Sequence, residues 1–185
     1  MDEARLIQTA LASGATGADM VAGADVALDP SFRALCAQNS CGRYGRCYVC
    51  PPDVGPVEEL IAQVRSFDRG LLYQTVSPLQ DSFDIEGMQA AKARHIRVSQ
   101  RLLDALKPLL GKDTLHLTVG GCGLCAECAK QKGMPCRHPD RALPSLESHG
   151  IDVYNTARHT TLRYVNGRNT VTYFGLVLFW DDNVG

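Results

Sequence analysis

Eight cysteines are the residues of this chain best suited to chemistry, and they fall into two short stretches. In GGCGLCAECAKQKGMPCRHP, Gly120 to Pro139, the thiols of Cys122, Cys125 and Cys128 recur at a strict three-residue step and Cys136 follows. Thiolates so spaced on one tight turn can each reach a different corner of a cubane cluster, and a fourth farther along completes the cage. Gly120, Gly121 and Gly123 suit this loop, because backbone without Cβ winds closely around a cluster and aims N–H groups at its sulfides. Pro139 fits the loop's exit. A structural zinc site more often pairs two CxxC or CxxH knuckles across a longer loop. The spacing therefore points to a 4Fe-4S cluster, with zinc and disulfide or free-thiol redox chemistry as alternatives, although the gap to Cys136 exceeds that of the bacterial ferredoxin run. His138 reads as a hydrogen-bonding neighbour of the ligands, and Glu127 and Lys130 read as solvent-facing loop residues.

The other stretch, LCAQNSCGRYGRCYVCPPDVGP, holds Cys36, Cys41, Cys47 and Cys50 and closes on Pro51 and Pro52. Proline directly after a ligand cysteine removes a backbone donor and sets the chain's exit, as in ferredoxin-type runs. Tyr44 and Gly45 supply either a turn with an aromatic lid or an ordinary turn. Arg43 and Arg46 either offset cluster charge or are solvated. All eight thiols are candidate ligands, four to a cluster, for two 4Fe-4S clusters; zinc is the alternative.

The elements that must position these loops alternate in type. Asp2 to Ala12 reads as a short helix, Asp19 to Leu28 as a strand, and Cys36 to Pro52 as irregular. Pro56 to Phe67 has apolar residues at helical spacing, and Leu71 to Val76 is a buried strand. Met88 to Leu110 carries Ala91, His95, Val98, Leu102, Ala105, Leu106 and Leu109 on one helical stripe, with Lys92, Arg94, Arg97 and Arg101 off it as a solvated face. Leu115 to Val119 is a strand leading into the second cysteine loop, Pro144 to Ser148 begins a helical turn, and Thr170 to Trp180 is apolar on both faces, as a central strand would be. The expectation is an α/β fold, one domain over residues 1–185, with a small mixed sheet flanked by helices and both cysteine loops leaving strand ends.

With 185 residues, 45% hydrophobic and 21% charged, the chain has a globular composition. A net charge of −1 supplies no field to draw it onto nucleic acid or an anionic membrane. The acidic start and the lack of a long apolar run point away from a signal peptide or membrane span and toward the cytoplasm. In a reducing compartment cysteines are kept for metal or catalysis rather than for a disulfide framework. No phosphate-cradling or dinucleotide-binding glycine motif is present.

Cys36, Cys41, Tyr44-Gly45 and Cys50-Pro51-Pro52, then GGCGLCAEC and Cys136, then PSLESHGIDV (Pro144 to Val153) and VTYFGLVLF (Val171 to Phe179), together resemble a family of uncharacterised predicted metal-binding proteins from prokaryotes. The likeness runs from about Cys36 to Phe179. It implies metal or iron-sulfur binding in a cytoplasmic protein and names no reaction. It also implies a first segment built on Cys36, Cys41 and Cys50, the place of Cys47 being commonly another residue. Cys47 is then either a fourth ligand peculiar to this chain or a bystander beside a three-thiolate cluster with an open iron.

Three functions follow as expectations. The first is electron transfer, or a redox subunit with a redox protein partner. The second is an enzyme whose open iron at the first cluster does Lewis-acid or sulfur-transfer chemistry. The third is a zinc-stabilised interaction module. Asp84, Glu86, His95, His116, His149 and His159 are scattered along the sequence, and each reads as a core or surface residue rather than an acid-base pair.

Overall fold

Among residues 2–111 and 113–181, which the computed structural model describes, helices and strands alternate as the periodicities require. The order is α1 (Glu3–Ala12), β1 (Gly17–Ala22), α2 (Ser31–Ala37), α3 (Val57–Arg65), β2 (Arg69–Pro78), α4 (Ile85–Leu110), β3 (Leu115–Leu117), α5 (Val153–Ala157) and β4 (Thr170–Phe179). Asp2 caps α1 by accepting from the Arg5 N–H at 3.2 Å, and Asp84 caps α4 by accepting from the Gly87 N–H at 2.8 Å. That second cap starts α4 at Ile85, three residues ahead of the expected Met88. α3 has no side-chain cap and relies on Glu58 and Glu59 at its positive end and Arg65 at its negative end.

The sheet runs β1-β2-β4-β3, and every strand pair is antiparallel. The expected α/β class holds. Its mixed character reduces to one isolated parallel bridge, Thr118 to Ser145. β4 lies between β2 and β3, which explains why it is apolar on both faces. On one face Leu71, Tyr73, Val177 and Phe179 pack under α1 and α4, against Leu6, Ala10, Val98, Leu102 and Leu106. On the other, Leu72, Phe174, Leu176 and Leu178 meet Val64, Phe67, Leu146, Ile151 and Ala157. Alternate residues of β2 and β4 therefore serve two separate cores.

Several expectations are corrected. The strand expected over Asp19 to Leu28 stops at Ala22, because Gly23 approaches the Phe67 carbonyl so closely that a Cβ there would lie 1.9 Å from the oxygen. The chain turns away through a 3-10 turn, Gly23–Asp25. Two cations of the supposedly solvated face of α4 are tethers. Arg94 Nη1 donates to the Val76 carbonyl at 3.1 Å and to Ser77 Oγ at 3.2 Å, and Arg101 Nε donates to the Ser13 carbonyl at 2.8 Å.

The histidines are less scattered than their positions suggest. Tyr73, fully buried, donates to Ser99 Oγ at 2.7 Å and lies 2.8 Å from His116 Nε2. Ser99 Oγ in turn lies 2.8 Å from Thr118 Oγ1, and one turn earlier on α4 His95 Nδ1 lies 2.9 Å from Thr75 Oγ1. This buried polar chain joins α4 to β2 and to the end of β3. Across the ladder Tyr73 pairs with Gly175, where a Cβ would sit 2.2 Å from the phenol oxygen. His149 is also buried, beside Ser148 Oγ at 3.0 Å, whereas His159 stays at the surface, 3.9 Å from Asp25.

Gly175→Ala is expected to cost about 1–3 kcal/mol by forcing Tyr73 off its two partners, read as a fall in the urea midpoint. Burial pushes His116 down to about 3 and His95 down to about 4, so both rings are neutral when folded. Unfolding returns them to water, where they titrate near 6.5. The unfolded chain then binds protons that the folded chain refuses, so stability is full above that value and falls as pH drops toward the folded ones. Acidifying from pH 7 to pH 5 should cost roughly 2 kcal/mol per histidine, and His116→Gln should flatten the dependence of the urea midpoint on pH.

Candidate metal centre

The second cysteine loop leaves β3 and returns to it. Thr118 donates its N–H to the Pro144 carbonyl at 2.9 Å and accepts from the Leu146 N–H at 3.0 Å, so both ends of the stretch 119–143 are closed at one residue. Inside it, 3-10 turns form at Ala129–Lys132 and Pro139–Arg141. Arg141 ties the returning limb to α4 with a two-pronged ion pair to Asp104 at 2.8 and 3.0 Å. The glycines serve close approach. A Cβ on Gly121 would lie 3.2 Å from Cys50 Sγ, and one on Gly120 would lie 2.5 Å from Lys92 Nζ.

The first cysteine segment does not leave a strand end, and it is not wholly irregular. Cys36 sits in the last turn of α2, a seven-residue helix with no side-chain cap and no buried residue, which is why periodicity did not reveal it. Arg33 anchors α2 by donating to the Ser148 carbonyl at 2.8 Å and to the Gly55 carbonyl at 2.7 Å. From Arg46 onward the segment is docked on the second loop. Arg46 donates twice to Gln131 Oε1, at 3.0 and 2.6 Å, and the Tyr48 hydroxyl donates to the Met134 carbonyl at 2.8 Å. Lys130 pairs with Asp53 and lies 5.5 Å over the Tyr48 ring. Lys130 is therefore an interloop contact rather than a solvent-facing residue; Glu127 does stay at the surface, 2.8 Å from Lys132. The sequence carries no local sign of Asp53, Gln131 or Met134 in this role.

This docking sorts the thiols three and five rather than four and four. Cys47, Cys122, Cys125, Cys128 and Cys136 line a cavity of about 20 Å³, with His138 beside them. Cys36, Cys41 and Cys50 line a neighbouring cavity of about 410 Å³, together with Gln38, Arg43, Tyr44 and Glu147. Cys47 is only 2% exposed and Cys50 7%, whereas Cys41 is exposed. The Cys47 thiol lies within hydrogen-bonding reach of both Cys122 and Cys50. Those contacts hold Cys47 well below the usual thiol range, Cys122 first and Cys50 next, and the same contacts push Cys122 and Cys50 up. Cys36 is also pushed up, by burial first and by the Glu147 carboxylate next, with Arg33 opposing. A larger cavity of about 700 Å³, between α4 and the segment 140–144, carries His116, Asp104 and Arg141 but no thiol.

Among the described residues no group of three or more His, Cys, Asp or Glu side chains is drawn together closely enough to hold a metal ion. The fit to a thiolate-bound centre is one of donor type and grouping: all eight cysteines are free thiols, and they gather in two adjoining sets. At the second set a cubane needs Cys47 to give up its thiol contacts and the loop to widen, because the cavity there is the size of one small guest. Arg46→Ala combined with Tyr48→Phe is expected to undock the segment and to speed alkylation of Cys47 in the metal-free protein about tenfold, read by mass mapping after timed iodoacetamide labelling.

No helix of the described residues is long and apolar enough to cross a membrane. No curated protein matches the chain, and no solved structure does. Residues 19–179, from β1 to the end of β4, match one family, and the match takes in all eight cysteines. The chain belongs to the family described as predicted metal-binding protein (DUF2284).

Proposed function

We propose that this metal-binding protein carries two 4Fe-4S clusters and works in electron transfer or as a redox subunit. The observation that supports the reading most is the gathering of eight free thiols into two adjoining sets on interlocked loops. Cys122, Cys125, Cys128 and Cys136 would hold the second cluster, and Cys36, Cys41 and Cys50 the first. A cubane in each site supplies reversible one-electron chemistry. The chain's own residues bring the two sites into contact: Gly121 packs on Cys50, and Cys47 reaches the thiols of both. Electrons would therefore pass between neighbours rather than across the sheet.

The exposed thiol of Cys41, with Tyr44 at the same rim, suits exchange with a redox protein partner at the surface. Free thiols in this number fit a reducing compartment such as the cytoplasm. Zinc is the competing occupant, and a zinc-bound interaction module the competing function.

Anaerobic purification should yield brown protein with iron and acid-labile sulfide in equal amounts, sufficient for two clusters, and an EPR signal on reduction. A colourless protein holding stoichiometric zinc, with neither iron nor sulfide, would replace this reading by the zinc module.

A further inference from the structure

We propose that the cavity beside the free edge of β3 binds a short free peptide as a further strand of the sheet. No thiol lines this cavity, so the proposal stands apart from the iron-sulfur reading. Thr118 gives both its backbone groups to the returning chain, its N–H to Pro144 and its carbonyl to Leu146, on the side away from β4. Backbone groups point the same way at every second residue of a strand, so the N–H and carbonyl of His116 face that side too. Among the described residues nothing bonds to either group, although His116 is only 5% exposed. Buried backbone groups are rarely left without a partner.

The cause lies in Arg141. It donates to Gln100 Oε1 at 3.1 Å and to both Asp104 oxygens, and its carbonyl accepts from Gln100 at 2.9 Å. The returning chain is thus drawn onto α4 just where it would otherwise lie beside His116. The slot this opens measures about 700 Å³, a size at which pockets hold small organic ligands. A strand laid there antiparallel to β3 sets one residue opposite His116 and exchanges an N–H and a carbonyl bond with it. His116 pairs with Val177 across the ladder, and Val177 faces α4. The side chain of the residue opposite His116 therefore also turns to that face, among Leu103, Leu106, Leu143 and Val177.

The slot also has a direction. Pro144 closes it at the Thr118 end, where Asp140 stands next to Arg141, and Lys107 stands toward the other end, one turn of α4 beyond Asp104. Both charges are exposed, and among the described residues neither enters an ion pair. A carboxylate recognises an ammonium, and an ammonium a carboxylate. A chain antiparallel to β3 sets its free amino end by Asp140 and its carboxyl end by Lys107, whereas a parallel chain would bring like charges together. The open edge from Thr114 to Leu117 spans roughly 10 Å, enough for about three residues of extended chain. The ligand class is a free tripeptide with an apolar middle residue, and Ala-Leu-Ala is the probe.

The test titrates the full chain, purified anaerobically with its metal retained, in a calorimeter. Ala-Leu-Ala is compared with its N-acetylated form, its C-terminal amide and a form methylated on the leucine nitrogen, and hydrogen exchange between Thr114 and Leu117 is followed by mass spectrometry. Ala-Leu-Ala should bind, and the acetylated and amidated forms should each bind about fivefold more weakly. Lys107→Ala should erase the preference for the carboxylate over the amide, and Asp140→Asn the preference for the free amine over the acetylated one. Methylation, which removes the donor to the His116 carbonyl, should weaken binding about tenfold, and saturating Ala-Leu-Ala should slow exchange between Thr114 and Leu117. The proposal is overturned if Ala-Leu-Ala does not bind at millimolar concentration, if methylation is without effect, or if exchange is unchanged. It is equally overturned if either variant leaves its preference intact. Iron and sulfide content judges the reading of the thiols separately and bears on none of these outcomes.

Discussion

The second cysteine loop hangs on Thr118. Its backbone closes the base of a long irregular loop against Pro144 and Leu146, and its hydroxyl meets Ser99 on α4. A stretch of that length without regular structure pays a closure entropy that grows slowly with length, so a few well-placed bonds at its base suffice to keep the ends together. The bonds are well placed because Thr118 is buried, 4% exposed, at the end of a strand fixed by β4. The polar chain running from Thr118 through Ser99 and Tyr73 to His116 thus couples the sheet to the cysteine loop, and burial keeps its histidine uncharged.

The sheet's two faces have separate duties. The α1 and α4 side is an apolar core interrupted by that polar chain, and α4 extends from it to lay Lys92 and Ile96 along Gly120 and Gly123. The opposite side, with α3 and the turn at Glu147–His149, carries α2 and the first thiols through Arg33. The two cysteine segments therefore approach from different sides of the fold and meet at one end of it. Their meeting is made of side-chain contacts, Arg46 with Gln131 and Asp53 with Lys130, not of shared secondary structure.

Much of this was legible in the sequence where local period decides the outcome. β4 and α4 were readable because burial writes alternation or a helical stripe directly into the residues, and the grouping of Cys122, Cys125, Cys128 and Cys136 was readable because it lies within one loop. α2 was not, since a helix with neither cap nor buried face has no periodic signature. His95 and Ser99, four residues apart on an otherwise apolar stripe, were a signal of a buried polar pair that the scatter of the other histidines concealed. The destination of Cys47 was beyond reach, because it is decided by bonds between residues 85 and 86 positions apart in the chain. Sequence proximity assigned Cys47 to Cys50, and tertiary contact assigns it to Cys122 as well.

The two loops are anchored in different ways. The second is tied at its base to β3 and to α4 through Arg141. The stretch from Arg46 to Asp53, by contrast, rests on Gln131, Met134 and Lys130. These contacts are also what seat Cys47 among the later loop's thiols, so a change at Gln131 or Met134 in the one loop reaches a cysteine of the other.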